Sequence, residues 1–271
     1  MSRPLRVAAL TAAAALLPAA AASAAPLAGA IDDPAGDVPV PQQDILAAAA
    51  EYDPAGIVRG AISTAAPASA DTAPVVDLLL GTASRATGIC DVEFHGTMYP
   101  DPEGAFGGLS VDGQDVGDQA VVQSGQVMQF DSTAGNGFDP PVGPLPALAG
   151  KSWNCGVALT TTAKVVKGDY TDADDTLVFP LIAGSSGAVA GCKVVTRKVR
   201  RGDKLRVKCA GISGNVTVRL HRKRPRFSAS AALAPDGDAS VGIRRSVRKG
   251  EYLAAVWQGP TLMGARFVRV R

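Results

Sequence analysis

The stretch Gly184-Ser185-Ser186-Gly187-Ala188-Val189-Ala190-Gly191 divides this chain into two parts of opposite character. From Leu27 to Val189 there are 5 Lys+Arg against 21 Asp+Glu, a balance of −16; from Ala190 to Arg271 there are 20 against 4, a balance of +16. The whole-chain charge of +2 averages two opposite stretches and describes neither. A flexible, small-residue segment between such stretches predicts two separately folded bodies, 25–183 and 192–271, joined by a linker at 184–191.

Both bodies read as all-β. Short runs of alternating apolar and polar residues are punctuated by Gly, Pro and Asp at fairly regular intervals, the pattern of an antiparallel β-sandwich. In the acidic part the candidate strands are Ile45–Tyr52, Ile57–Ala65, Val75–Thr82, Ile89–His95, Gly108–Val111, Ala120–Phe130, Trp153–Ala163 and Thr176–Leu181. Ala47 to Ala50 has helical propensity, but the Asp53-Pro54-Ala55-Gly56 turn favours a hairpin there. Ser132 to Lys151 is a long Gly/Pro loop that carries Phe138 and Leu145. The basic part offers Lys193–Val199, Lys204–Cys209, Val216–His221, Phe227–Leu233, Ala239–Ile243, Tyr252–Gln258 and Ala265–Val270.

The chain begins like a secreted protein. Arg3 and Arg6 precede the apolar run Val7–Ala22, and Ala22-Ser23-Ala24 supplies a small-residue exit, which predicts a signal peptide 1–24 cleaved after Ala24. Four cysteines, Cys90, Cys155, Cys192 and Cys209, fit an oxidising compartment. Three pairings are possible, and the seam separates the cysteines two and two. That favours Cys90–Cys155 and Cys192–Cys209 over a zinc site, whose CxxC spacing is missing. High Ala and Arg content points to a GC-rich bacterial source.

The acidic part opens on Asp32-Asp33-Pro34-Ala35-Gly36-Asp37, and Asp44-Ile45 then enters the first expected strand. This opening resembles that of the DOMON and family-9 carbohydrate-binding group of secreted β-sandwich modules, over roughly residues 32–183. The resemblance implies a structural Ca²⁺ with Asp33, Asp37 and Asp44 as ligands, and a sugar ligand held by exposed aromatics. The residues make a separate physical case for calcium. A flexible Asp/Gly loop offers carboxylate and carbonyl oxygens together, the hard donors Ca²⁺ takes six to eight at a time. A second acidic group, Asp172, Asp174 and Asp175 with Asp169, lies at the far end of the body, and the first and last strands of a sandwich can lie close.

Catalysis has one arrangement to recommend it. Alternation along a strand puts Asp91, Glu93 and His95 on one face, where two carboxylates and an imidazole could do acid–base work. The same pattern suits the solvated face of any half-buried strand. No Gly-x-Ser-x-Gly, His-Glu-x-x-His, P-loop or Gly-x-Gly-x-x-Gly motif occurs.

The basic part alternates cleanly in Leu205-Arg206-Val207-Lys208 and Val216-Thr217-Val218-Arg219, with apolar residues inward and Lys or Arg outward. It resembles the Ig-like repeats of bacterial surface proteins. Arg197, Lys198, Arg200, Arg201, Arg222, Lys223, Arg224 and Arg226 are the candidate polyanion-binding residues. A nucleic-acid reader would interleave aromatics for stacking, whereas Tyr252, Trp257, Phe227 and Phe267 occupy core-like positions. The expected partner is an anionic cell-wall or extracellular polysaccharide, with no specific nucleic acid. The two oppositely charged bodies can also dock on each other. The reading that follows is a secreted, non-catalytic protein of the cell envelope. Its rivals are a hydrolase or redox protein using Asp91, Glu93 and His95, and a purely structural surface protein.

Overall fold

The computed structural model describes residues 25–33, 35–101, 104–134, 143–166, 169–176, 178–183, 191–222 and 225–271. The expected signal peptide, Phe138 and linker residues 184–190 lie outside the described residues. The fold is all-β. Strands β1 (Leu27–Asp32), β2 (Ile45–Asp53), β3 (Ile57–Thr64), β4 (Val76–Ala83), β5 (Cys90–Tyr99) and β6 (Phe106–Val111) open the acidic body. It continues with β7 (Gln114–Ser124), β8 (Val127–Asp131), β9 (Cys155–Val166), β10 (Asp169–Asp175), β11 (Phe179–Pro180) and β12 (Ile182–Ala183). The basic body holds β13 (Gly191–Val194), β14 (Lys198–Val199), β15 (Lys204–Ala210), β16 (Asn215–His221), β17 (Pro225–Ala232), β18 (Asp238–Gly242), β19 (Gly250–Gln258) and β20 (Thr261–Val270). Among the described residues no helix is long and apolar enough to cross a membrane.

In the acidic body the strands hydrogen-bond in the order β10-β9-β4-β5-β6-β7-β8-β3-β2-β1-β12, with β11 beside β9. Strand β7 belongs to both halves of this sheet. Its first part pairs with β6 (Phe106↔Ala120) and its end with β8 (Val121↔Phe130), so the sheet curls over and faces itself. Between the two faces lies one core containing Tyr52, Leu78, Leu80, Phe94, Phe130 and Trp153. The Trp153 ring sits 4.8 Å from Tyr52 and 5.3 Å from Phe94, centre to centre, within the range of favourable aromatic contact. The Tyr52 hydroxyl donates to Leu148 O (3.0 Å) and accepts from Lys151 N (2.7 Å), which straps the end of the long loop over that core.

In the basic body a three-stranded sheet, β13-β15-β18, faces a five-stranded one, β14-β20-β19-β16-β17. Strand β15 shows why: Leu205, Val207 and Cys209 are buried while Lys204, Arg206 and Lys208 are exposed. A second core, with Val194, Leu205, Val216, Leu220, Tyr252 and Val268, fills the gap. The disulfides are Cys90–Cys155, joining β5 to β9, and Cys192–Cys209, joining β13 to β15 where the two cysteines are register partners.

Three sequence expectations are corrected, and one strand is added to the expected set. Leu27–Asp32 is a strand, although Leu-Ala-Gly-Ala-Ile-Asp has little β-propensity; Gly29 crosses so close to Pro180 that a Cβ would lie 1.9 Å from its carbonyl oxygen. Ala120–Phe130 is the end of one strand and most of another, because Gly125 takes φ +59° and lets the chain reverse between Ser124 and Val127. Lys193–Val199 is broken at Val195, and its second piece leaves the first sheet to lie parallel to β20 (Lys198↔Arg269). Gly191, expected in the linker, is already in β13 opposite Ala210.

The two bodies touch. The turn after β4 carries Arg85, whose Nη2 donates to Gly259 O (2.7 Å), and Ala86, whose carbonyl lies 3.1 Å from His221 Nδ1. That contact makes Nδ1 the protonated nitrogen and leaves Nε2 buried with no partner, against Gly88. Trp257 forms a small buried cluster with Ala255, Leu262 and Ala265, against which Ala83 and Val178 of the acidic body pack, and the guanidinium carbons of Arg85 (5.9 Å) and Arg219 (5.8 Å) lie over its ring.

Candidate functional site

The acidic lead-in and the far acidic strand meet at one place. Asp33 follows β1, and its backbone N–H bonds to Leu46 O (2.8 Å), which holds the loop beside the start of β2. The loop then reverses, and Gly36 N donates to Asp44 Oδ2 (2.7 Å). On the opposite side β10 runs along β9 with register breaks around Asp172, which turn Asp174 inward opposite the buried Thr160. Asp174 Oδ2 accepts from Ile45 N (2.7 Å), a contact 129 residues apart in sequence.

Asp33, Asp37 and Asp174 thereby each offer a carboxylate oxygen, all within 4.8 Å of one another. Asp44 borders them. It is only 3% exposed, and its Oδ1 has no hydrogen-bond partner; nor does Asp33 Oδ2. Burial, followed by the negative charges of Asp174 and Asp37, pushes the Asp33 carboxyl up to about 7. Burial also raises Asp174, with Asp37 and Asp44 adding to the effect. Positive groups of the other body act on these acids: Lys193 on Asp33, and Arg266, which reaches Val194 O at 3.4 Å, feels both Asp33 and Asp37. Neither forms an ion pair with these acids among the described residues. Crowded, partly desolvated carboxylates with orphaned oxygens fit a hard cation, and Ca²⁺ tolerates such an irregular oxygen set. Asp172 and Asp175, also expected here, are exposed on β10 and stand outside the three.

The expected basic residues divide. Arg197, Lys198, Arg200, Arg201 and Arg222 are exposed, while Lys223, Arg224 and the side chain of Arg226 lie outside the described residues. Arg200 and Arg201 face Arg245, Lys249 and Arg271, none of which was in the sequence-derived set. The run Arg244-Arg245-Ser246-Val247-Arg248-Lys249 was the signal that could have found them. Arg222 is not part of that lining; its guanidinium stands beside Gly250, with Arg248 and Tyr252.

The Asp91, Glu93 and His95 face is not formed as alternation predicts. The β4–β5 ladder pairs Leu80 with Phe94 and Gly81 with Val92, so Glu93 is a bulge residue and Val92 is turned outward. Glu93 Oε2 accepts from the buried Trp153 Nε1 (3.0 Å), while Asp91 and His95 are exposed. Asp77 of β4, raised by burial, is bonded to Thr97 and feels His95.

No family model matches this chain, and no curated protein matches it. Among solved structures it is similar to the two tandem V-type regions of VCBP3, a v-region-containing chitin binding protein. The identity is 12%, the match covers 80% of this chain and 93% of that one, and the TM-score is 0.31. It is also similar to murine CEACAM1b (9% identity, 79% and 92% covered, TM-score 0.22). A third is the Bacteroides ovatus mixed-linkage glucan utilization locus protein SGBP-B in complex with a mixed-linkage heptasaccharide. There the identity is 8%, 80% of this chain and 53% of that one are covered, and the TM-score is 0.22. At these scores the likeness fixes neither family nor ligand.

Proposed function

We propose that this is a secreted, non-catalytic binding protein of the cell envelope. Its acidic body is a scaffold closed by Ca²⁺ at Asp33, Asp37, Asp44 and Asp174, and its basic body adheres to anionic polysaccharide. The observation that carries the adhesion reading is the one-sidedness of the β13-β15-β18 sheet. Lys193, Lys204, Arg206 and Lys208 are all exposed on it, and Asp238, paired with Arg206 at 3.5 Å, is the acid set among them. Many weak, exposed contacts of one sign suit a repeating polyanion better than a small ligand, because each contributes little and the sum is large. The opening acidic motif, with its resemblance to the DOMON and family-9 carbohydrate-binding group, supports the cation. The two disulfides support an extracellular setting.

The test is retention of the purified protein on isolated cell wall and on immobilised acidic polysaccharide across a salt series. Strong retention at low salt and release by a few hundred millimolar salt are expected. The triple change Lys204→Glu, Arg206→Glu and Lys208→Glu should weaken retention by about tenfold or more, since these side chains point to solvent. Salt-independent retention, or none at any salt, would remove the reading.

A further inference from the structure

The end of the basic body formed by the β14–β15 turn, the β18–β19 loop and the last residue of β20's extension gathers five cations. Arg200, Arg201, Arg245, Lys249 and Arg271 line one open cleft, and no acidic side chain lines it with them. None of the five has an acidic partner among the described residues, and Asp203, in the same turn, is not part of the lining. The backbone under them is fixed. Gly202 N donates to Ile243 O (2.7 Å), Ile243 N to Asp203 O (2.8 Å), and Arg201 N to Arg271 O (3.2 Å). Val247, 6% exposed, anchors the loop between Arg245 and Lys249 in the core. Arg201 Nη1 also reaches Arg245 O (3.4 Å), which ties the turn to the loop. Like charges lining one cleft repel one another, and an anion between them relieves that repulsion.

We propose that this cleft is a discrete site for one tetrahedral oxyanion, the sulfate or phosphate ester group of a modified polysaccharide. Four guanidinium groups and one ammonium present more N–H donors than the two oxygens of a carboxylate can accept. A sulfate or phosphate monoester offers three terminal oxygens in different directions, and planar guanidinium forks match them bidentately. The site rests on the adhesion reading above for its polymer, and goes beyond it by making the basic body selective among polyanions.

Two measurements on the full chain separate the claims. Melting is followed in sodium sulfate or phosphate against sodium chloride at equal ionic strength, for the wild type, Arg245→Ala, Lys249→Ala and the neighbouring control Arg244→Ala. Binding of dextran sulfate is compared with that of polygalacturonate, a carboxylate polymer. A midpoint raised by sulfate or phosphate above chloride is expected, reduced in Arg245→Ala and Lys249→Ala to the general effect of an excluded salt and kept in full in Arg244→Ala. A preference of about tenfold or more for dextran sulfate should accompany it, an affinity ratio that falls toward one in the same two variants. Should Arg245→Ala fail to fold, Lys249→Ala decides. Equal binding of both polymers with no specific anion shift overturns the site and leaves the adhesion reading standing. A specific shift with no binding of either polymer does the reverse: the site survives and adhesion falls.

Discussion

Ten millimolar calcium is expected to raise the melting temperature of the full chain by about 5–10 °C at pH 8, and by much less at pH 5. The magnitude follows from mass action. A site with an affinity of about 0.1 mM, at the tight end for extracellular modules, gains about 2.7 kcal/mol at a hundredfold excess of ion, and a chain of this size moves by about 2–4 °C per kcal/mol. The pH dependence follows from Asp33. Its carboxyl is pushed up to about 7 in the folded chain from the ordinary 3.8, so between those values the folded state binds more protons than the unfolded one. Without the ion, stability therefore falls as pH rises through that window and levels off above 7. Calcium needs the same oxygens unprotonated, so its stabilisation grows as the proton leaves. Asp33→Asn and Asp174→Asn should each abolish the calcium shift, the latter while an amide oxygen can still accept from Ile45 N. Asp33→Asn without calcium should also melt above the wild type at pH 8, because a crowded charge has gone. A calcium shift equal at pH 5 and pH 8, or one that survives Asp33→Asn, would show that the ion sits elsewhere or nowhere.

The difference between what the sequence reveals and what it hides follows the range of the interactions. Alternation in β15 and β16 is local, and so is the Asp53-Pro54-Ala55-Gly56 turn; each can be read from a few neighbouring residues. The charge reversal at the seam is just as plain. The acidic site is legible only as two halves. Asp33 and Asp37 announce a cation-binding loop, but selecting Asp174 over Asp172 and Asp175 depends on the β10 register breaks, which no periodicity foretells. The bulge at Glu93 misleads in the same way: one extra residue in β5 undoes the face that strict alternation assigns to Asp91, Glu93 and His95. Trp257 is the sharpest case. Its strand position reads as core, and it is buried at 2% exposure, yet Arg85 over its ring and Ala83 and Val178 packed against its cluster belong to the other body.

Trp257→Ala is therefore expected to cost about 3–5 kcal/mol, in line with truncation of a buried tryptophan, and to do so by uncoupling the two bodies. Arg85→Ala separates that cause from simple damage to the basic body's own packing. Arg85 lies in the acidic body, and it gives Trp257 a cation–π contact and Gly259 O a hydrogen bond across the seam. Its loss should lower the unfolding midpoint of the basic body, an effect of about 1–2 kcal/mol. Acid should act on the same seam through His221. Burial, with Arg219 nearby, holds its imidazole below the ordinary 6.5 despite the bond to Ala86 O. The charged groups around it are Arg219 on its own strand, Arg222 just beyond, and Glu251 on β19, itself 3.9 Å from Arg269. In the window from 6.5 down to the depressed folded value the unfolded state binds the extra proton, so the seam contributes fully above pH 6.5 and weakens as pH falls below it. This slope is opposite in sign to that of Asp33; Asp33→Asn removes that contribution, Asp77, Asp174 and Asp175 keep theirs of the same sign, and His221→Gln singles out the imidazole. In that background, melts followed by tryptophan fluorescence and by hydrogen exchange in each body should pass from one transition at pH 7.5 to two at pH 5, and His221→Gln should blunt the change. A single transition at both pH values in Arg85→Ala and Trp257→Ala alike would mean that the contacts at Trp257 do not couple the bodies.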